Sequence, residues 1–171
     1  MNSHLELNNE LINSIKRRSR FNNGPFYLYD TKEILENCRK FLEIPYSPKS
    51  IHFALMANST PKFIKLVKDA GLKVLVNYLL HLEAVRKLGF EGEEIVYAAS
   101  AMNEEMMKKV RACNAIVILD SIGQFDQWCS LFPGVGAGIR CNIGDLVEPK
   151  KTLAGYFIGK DSRLGFSIEA I

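Results

Sequence analysis

The sequence has few histidines and cysteines, the usual protein ligands of zinc. It contains three histidines and four cysteines, and no two cysteines form a C-x-x-C pair. These residues are His4, His52, His81, Cys38, Cys113, Cys129 and Cys141. Thiols scattered in this way are typical of reduced, mostly buried cysteines in a cytoplasmic protein. We therefore expect no metal site and a cytoplasmic location.

Long apolar runs and a strong net charge are also absent. No run approaches the ~20 residues that span a bilayer, and the strongest, Ala115 to Leu119, fits a buried strand. The first six residues lack the basic and apolar regions of a secretory signal. The net charge is only +3, too small to indicate nucleic acid as the main partner. The composition, 47% hydrophobic and 24% charged, excludes intrinsic disorder.

The familiar nucleotide and hydrolase motifs are missing. The sequence contains no G-x-x-x-x-G-K-[ST], no G-x-G-x-x-G and no G-x-S-x-G. The glycine-rich stretch 134–138 leads into a predicted strand rather than a helix, and Gly159-Lys160 is a turn with a lysine. No short motif therefore identifies a reaction.

The N-terminal part predicts two helices around a short strand. Residues 3–20 have apolar side chains near helical spacing and end in a basic cluster, which is either an anion site or a helix end where the macrodipole favours positive charge. Residues 22–25, Asn-Asn-Gly-Pro, break this helix. Residues 26–29 form a β-like run, and Asp30-Thr31 opens a second helix. We place a helical segment at residues 1–24 and a second region at 25–171.

From residue 51 onward, apolar strand-like runs recur at nearly constant intervals. They begin near Ile51, Val74, Ile95, Ile116 and Ala137. A capped helix is predicted after each of the first four, and the capping residues are Thr60 before Pro61, Asn77, Asn103, and Asp120 or Ser121. Gly71 and Gly89 end the first two of these helices. The stretch 143–163 is predicted to be a long loop.

The strands are apolar throughout, which is typical of a parallel sheet covered by helices. Strand–helix units this compact favour a (β/α) barrel, and a flavodoxin-like open sheet is the alternative. The predicted fold class is α/β: a partial TIM-type barrel of about five βα units, preceded by an N-terminal helix and a short strand.

Candidate site residues follow each predicted strand, where parallel α/β folds bind ligands. They are Met56, Asn58, Ser59, Asn77, Tyr78, Ser100, Asn103, Asp120, Ser121, Arg140 and Asn142. Four of them, Asn77, Asn103, Asp120 and Ser121, are equally good helix caps. Arg140 ends an apolar run and needs an anionic partner. That partner is either a ligand phosphate or carboxylate, or an acid such as Asp120 or Asp145.

Several landmarks occur in a fixed order along the chain. Residues 25–30 read Pro-Phe-Tyr-Leu-Tyr-Asp and residues 52–59 read His-Phe-Ala-Leu-Met-Ala-Asn-Ser. Residues 89–98, 120–121, 139–142 and 162–165 complete the set. Together they resemble the alanine-racemase-like barrel of the pyridoxal-phosphate decarboxylases that act on ornithine, diaminopimelate, arginine and carboxynorspermidine. The likeness runs from about residue 25 to residue 167.

This resemblance implies pyridoxal phosphate as cofactor and Ala54, Met56, His81 and Arg140 as residues at its site. In the family, a lysine on the first strand forms an imine with the cofactor, and this sequence has Met56 there. A thioether has no amine and forms no Schiff base. We therefore predict no catalytic residue and no covalently bound cofactor.

Other positions of the family also differ. The acid at the end of the second strand falls on Leu75, and the glutamate that keeps the pyridinium nitrogen protonated falls on His81. A shift of two residues would offer Asn77 and Glu83 instead and would spoil the match at Gly89-Phe90. A further lysine becomes Met102. Arg140 is the only charged position that is clearly retained.

A closed barrel of this kind has eight strands and ~250 residues, and five strands are predicted here. In the family, the histidine that stacks on the cofactor, the phosphate-binding loop and a β-domain would lie beyond Ile171. Five strands alone would leave two sheet edges and the apolar inner face exposed. We therefore expect association with the same chain or with another subunit.

Three functional hypotheses follow. The leading one is a decarboxylase-like barrel that is not catalytic alone and acts through association. The first alternative is one portion of an active pyridoxal-phosphate-dependent decarboxylase of basic amino acids, or of a racemase. The second alternative is a small α/β module that binds an anionic ligand through Arg140.

Overall fold

The first helix, α1, spans Asn9–Phe21 in a computed structural model that describes residues 9–21, 24–143, 164–167 and 169. The predicted start of this helix, residues 3–8, lies outside the described residues. Residues 1–31 form one compact unit and residues 32–171 a second. The division predicted at residue 24 stays a prediction.

The short strand predicted at residues 26–29 is not formed. Residues 25–30 have no regular secondary structure, and the four side chains from Phe26 to Tyr29 are exposed, Tyr27 to 89%. The composition of this run does favour a strand. A strand also needs a neighbour to accept its backbone hydrogen bonds, and no described strand pairs with it.

Five parallel strands form one sheet in the order β1-β2-β3-β4-β5. The strands are β1 His52–Ala54, β2 Lys73–Val76, β3 Ile95–Ala98, β4 Ile116–Leu119 and β5 Gly138–Ile139. Each strand pairs with its sequence neighbour, as in a (β/α) barrel. A flavodoxin-like sheet has the strand order 2-1-3-4-5, so its first strand lies between the second and the third. The observed order therefore excludes that alternative and confirms the partial barrel.

Helix α2, Thr31–Leu42, precedes the first strand. Four further helices connect the strands in the predicted places: α3 Pro61–Asp69, α4 Leu79–Lys87, α5 Glu104–Ala112 and α6 Ile122–Leu131. Asn103 and Ser121 cap α5 and α6 by accepting hydrogen bonds from backbone N–H groups three residues on. The N-cap of α4 is Tyr78 rather than the predicted Asn77, because the Asn77 amide bonds elsewhere, as described below.

The two faces of the sheet differ in burial. Residues that alternate along β2, β3 and β4, such as Val76, Tyr97 and Leu119, are fully buried against the helices. The intervening residues, such as Leu75, Ala98 and Ile118, are only partly buried. We call this second face the open face. In a closed barrel it would line the interior.

The cysteines are less buried than predicted. All four are free thiols, but only Cys38 is buried, and Cys129 and Cys141 are exposed. Burial raises the pKa of the Cys38 thiol. Cys129 lies on the exposed side of α6, and Cys141 lies two residues after the end of β5, so the helix packing that covers Cys38 does not reach them.

Stability is expected to fall with acidification because of His52. Burial, and then the charge of Lys73, lowers the pKa of His52, and its Nε2 atom is buried without a hydrogen-bond partner. The unfolded chain, with a histidine pKa of about 6.5, then binds the proton more readily than the folded chain. The contribution of His52 to stability is therefore fully present above this value and is lost as the pH falls through the lower pKa of the folded chain.

Urea unfolding measured above and below this pKa checks the expectation, with His52→Gln expected to lose less stability on acidification than the unaltered chain. Equal losses in the two proteins would contradict it.

Candidate functional site

The candidate residues that follow the strands meet at the carboxyl edge of the sheet. Met56, Asn77, Asp120 and Arg140 follow β1, β2, β4 and β5. Successive side chains along a strand point to opposite faces of the sheet. The buried residues of each strand face the helices, and these four residues fall on the other side of that alternation. They therefore belong to the rim of the open face, and this rim is the candidate site.

Met56 is held by a neighbour from the next strand. Asn77 Nδ2 donates a hydrogen bond to Met56 Sδ at 2.9 Å, while the Met56 side chain is 63% exposed. This contact explains why Asn77 does not cap α4. The other atom of the amide, Oδ1, is buried and makes no hydrogen bond.

His81 lies in the first turn of α4. Its ring contacts the edge of the Tyr78 ring at a centroid distance of 5.3 Å. Its Nδ1 atom is buried without a hydrogen-bond partner. Leu75 and Ala54, the other two predicted positions on β1 and β2, are half-buried and offer no side-chain hydrogen bond.

Asp120 is almost fully buried, and a glutamine fixes its backbone. The Asp120 N–H donates to Gln124 Oε1 at 2.9 Å, and Gln124 Nε2 donates to the Ala99 carbonyl at 3.1 Å. One side chain therefore ties the end of β3 to the end of β4. Sequence reasoning missed Gln124, since a polar residue in a helix gives no signal of a buried contact.

Arg140 faces Asp120 across the rim. The Arg140 Nη1 atom lies 3.6 Å from Asp120 Oδ1, with side-chain exposures of 41% for Arg140 and 7% for Asp120. This distance exceeds the ~2.7–2.9 Å of a charge-assisted hydrogen bond, and Asp120 Oδ1 has no hydrogen bond. Of the two acids predicted as partners, Asp120 takes the role, and Asp145 lies outside the described residues.

The remaining predicted residues have local roles or are exposed. Asn58 Oδ1 accepts a hydrogen bond from the Thr60 N–H at 2.9 Å. Asn142 donates its N–H to the Phe166 carbonyl, while Ser59, Tyr78 and Ser100 are exposed and Met102 is buried. The predicted loop at 143–163 lies, from residue 144 onward, outside the described residues.

Neither a metal cluster nor a spanning helix is found in the part of the chain that the structure describes. No group of three or more His, Cys, Asp or Glu side chains comes together there to hold a metal ion. No described helix is long and apolar enough to cross a membrane.

A family model described as pyridoxal-dependent decarboxylase, pyridoxal binding domain, matches residues 31–169. The chain belongs to this family. The match covers the sheet, the helices from α2 onward and the whole rim described above. It confirms the predicted resemblance and the partial (β/α) barrel.

The named relatives that match this chain are decarboxylases more than twice as long as the chain itself. Diaminopimelate decarboxylase from Buchnera aphidicola subsp. Schizaphis graminum is 29% identical over 168 residues, which are 91% of this chain and 39% of that protein. A point mutant of diaminopimelate decarboxylase from Helicobacter pylori, complexed with L-lysine, superposes with a TM-score of 0.77 at 19% identity, over 88% of this chain and 39% of that one. SrLDC in complex with PLP and cadaverine gives a TM-score of 0.66 at 18% identity, over 81% and 36%.

The residues at this rim do not fit pyridoxal phosphate as a covalently linked cofactor. A Schiff base needs an amine, and the described segments that follow the strands, residues 55–60, 77–78, 99–103, 120–121 and 140–143, contain no lysine. The Met56 sulfur is instead occupied by the Asn77 amide. His81, at the position of the family's glutamate, offers no carboxylate to a pyridinium nitrogen, and Leu75 offers none at the end of β2. The end of β1 therefore provides no route to an imine.

Proposed function

We propose that this chain is a barrel region of the pyridoxal-phosphate decarboxylase family that does not link the cofactor covalently and is not catalytic alone. The observation that carries the proposal is Met56 at the end of β1, with its thioether hydrogen-bonded by Asn77. Methionine supplies neither the nucleophile nor the proton acceptor that a lysine provides. Any pyridoxal phosphate at this rim is held without a bond to residue 56.

We further propose that the chain acts through association with itself or with another subunit. The open face carries partly buried apolar side chains, and among the described strands β1 pairs only with β2. Beside β1 lies a groove of about 430 Å³ lined mainly by apolar residues, including Ile34, Phe41 and Phe63. Exposed apolar surface with a free strand edge is typical of an interaction site. The four free thiols support a cytoplasmic location.

Reaction with pyridoxal phosphate tests the first part of the proposal. The chain is incubated with the cofactor, the visible absorbance of the imine is recorded, and borohydride then fixes any adduct for peptide mass spectrometry. We expect no adduct on residues 52–60 and no single stoichiometric imine. Met56→Lys is expected to gain an adduct at residue 56, with Met56→Gln as the matched control. A stoichiometric imine removed by borohydride in the unaltered chain would overturn the proposal.

One observation supports the alternative that the chain is one portion of an active decarboxylase. The chain spans 39% of the length of the diaminopimelate decarboxylase it matches, so it is comparable to one portion of an active decarboxylase of basic amino acids. If so, Met56→Lys combined with a complementing C-terminal half of such an enzyme releases carbon dioxide from a basic amino acid. Absence of release counts against this alternative and leaves the proposal above in place.

A further inference from the structure

We propose that Met56 is a site of reversible oxidation, at which hydrogen peroxide converts the thioether to a sulfoxide and Asn77 decides which of the two sulfoxide epimers forms. This modification needs neither a bound cofactor nor association with another chain. Its evidence is the exposure of Met56, the hydrogen bond to its sulfur atom, and the burial of the other methionines that the structure describes.

Met56 is the most exposed of the described methionines. It is 63% exposed, whereas Met102 and Met107 are 6% and 0% exposed and belong to the hydrophobic core. Met106 is half-buried and packs against the same core. An oxidant has to reach the sulfur atom to react with it, and it reaches Met102 and Met107 only when the structure opens locally. We therefore expect peroxide to oxidise Met56 first.

The sulfur of Met56 carries a hydrogen bond on one side. A thioether sulfur is a weak acceptor with two lone pairs, and Asn77 Nδ2 donates to Met56 Sδ at 2.9 Å. One lone pair therefore faces the amide, and the other is free. Because the sulfur of a methionine sulfoxide is chiral, oxidation at the two lone pairs gives two different epimers. The hydrogen bond makes these two reactions unequal.

Asn77 is the fixed member of this pair. It directly follows β2, whose last residue, Val76, is fully buried. The Oδ1 atom of the Asn77 amide is also buried, so the amide is enclosed on the side away from the sulfur. Its Nδ2 atom then shields the side of the sulfur that it contacts. Peroxide has access from the opposite, exposed side.

The reaction is a two-electron oxidation of the sulfur. Its free lone pair attacks one oxygen of hydrogen peroxide, so an S–O bond forms while the O–O bond breaks. The proton of the transferred hydroxyl group passes to the departing hydroxide, which leaves as water. The sulfur loses the two electrons that the peroxide gains. The new oxygen points away from Asn77, and the other lone pair still faces the amide.

The oxidation changes the chemistry of the rim and is open to reversal. A flexible apolar side chain becomes a polar and chiral one at the end of β1. Methionine sulfoxide is reduced by two classes of reductase, each of which accepts one epimer. If Asn77 selects a single epimer, one class of reductase restores Met56 and the other leaves it oxidised.

Graded exposure of the unaltered chain to hydrogen peroxide tests the selectivity. Peptide mass spectrometry follows the gain of one oxygen at each methionine, and Met56 is expected to react at least about tenfold faster than Met102 and Met107. The oxidised chain is then treated with each epimer-specific reductase. One epimer is expected in about fivefold excess or more, the ratio that one neutral hydrogen bond provides.

The same chain oxidised in urea is the reference, since unfolding should remove both the rate difference and the epimer excess. Equal amounts of the two epimers in the folded chain, or oxidation of Met56 no faster than that of Met107, would overturn the proposal.

Two variants test the part played by Asn77. Asn77→Leu keeps a side chain of similar size without a donor, so Met56 should still be oxidised first, with the two epimers in nearly equal amounts. Asn58→Leu is the matched control, because Asn58 accepts a hydrogen bond from the Thr60 N–H and should leave the excess unchanged. An undiminished excess in Asn77→Leu would refute the steering by the amide. If this variant fails to fold, the comparison of folded and unfolded chain decides.

Discussion

Replacing Trp128 by alanine is expected to lower the free energy of unfolding by about 3–5 kcal/mol, the cost of a large buried aromatic side chain. Trp128 is 2% exposed, its ring centroid lies 4.7 Å from that of Phe132, and its Nε1 donates to the Val135 carbonyl at 3.0 Å. The variant loses this packing and leaves a carbonyl unpaired. Urea unfolding followed by circular dichroism measures the effect, because Trp128 is the only tryptophan and its fluorescence disappears with it.

Two further variants separate the causes of this loss. Trp128→Phe keeps most of the packing and removes the hydrogen bond, so a smaller loss of about 1–2 kcal/mol is expected. Phe125→Ala on the same helix is the control, since Phe125 is 42% exposed and its removal should cost well under the loss at Trp128. An unfolding midpoint unchanged in Trp128→Ala would refute this account of the core.

Gly165→Ala is expected to detach residues 164–166 from the end of β5. Gly165 has φ +86°, and a Cβ there would lie 2.7 Å from the Arg140 carbonyl oxygen and 3.1 Å from the Asn142 nitrogen. These same two backbone groups bond Phe166, which is 6% exposed. The clash is with backbone that has little room to move, so we expect a loss of about 2 kcal/mol or more.

Amide hydrogen exchange at Phe166, together with thermal unfolding, measures this effect. Gly134→Ala is the matched control: Gly134 has φ +76° but nothing within 4 Å of the added Cβ. The Gly134→Ala variant should lose only the stability that an alanine in the left-handed region costs, about 1–2 kcal/mol. The rate of amide exchange at Phe166 should stay unaltered in it. Fast Phe166 exchange in both variants, or in neither, would contradict the proposed clash.

The barrel part of the fold was predictable because its signals are local. Strand starts at Ile95 and Ile116, and caps at Asn103 and Ser121, follow from apolar runs, turn residues and side-chain hydrogen bonds that span only three residues. The nearly constant spacing of the units then favours strands that pair in sequence order. The strand predicted at residues 26–29 failed because a strand also depends on a partner that the run itself cannot specify.

The sequence predicted the position of the candidate site and named Asp120 as a possible partner of Arg140, but it did not predict the other contacts. In a parallel sheet, the residues that follow the strands meet at one rim. Two of them, Met56 and Arg140, were identified from the sequence. The Asn77–Met56 hydrogen bond and the bridge made by Gln124 were not, since both join residues more than twenty positions apart. Asn77 has the chemistry of a cap, and only the three-dimensional arrangement shows that its amide is used by a sulfur atom.

The one-after-another pairing of the strands also bears on how the polypeptide acquires its structure. Among the described strands, each one after β1 pairs with the strand that precedes it along the chain. Each pairing joins residues 20 or 21 positions apart, so the loop-closure cost is similar at each step, although parallel strands pair more slowly than local helical contacts form. During synthesis, the sheet can therefore grow one unit at a time in the order in which the ribosome releases the chain.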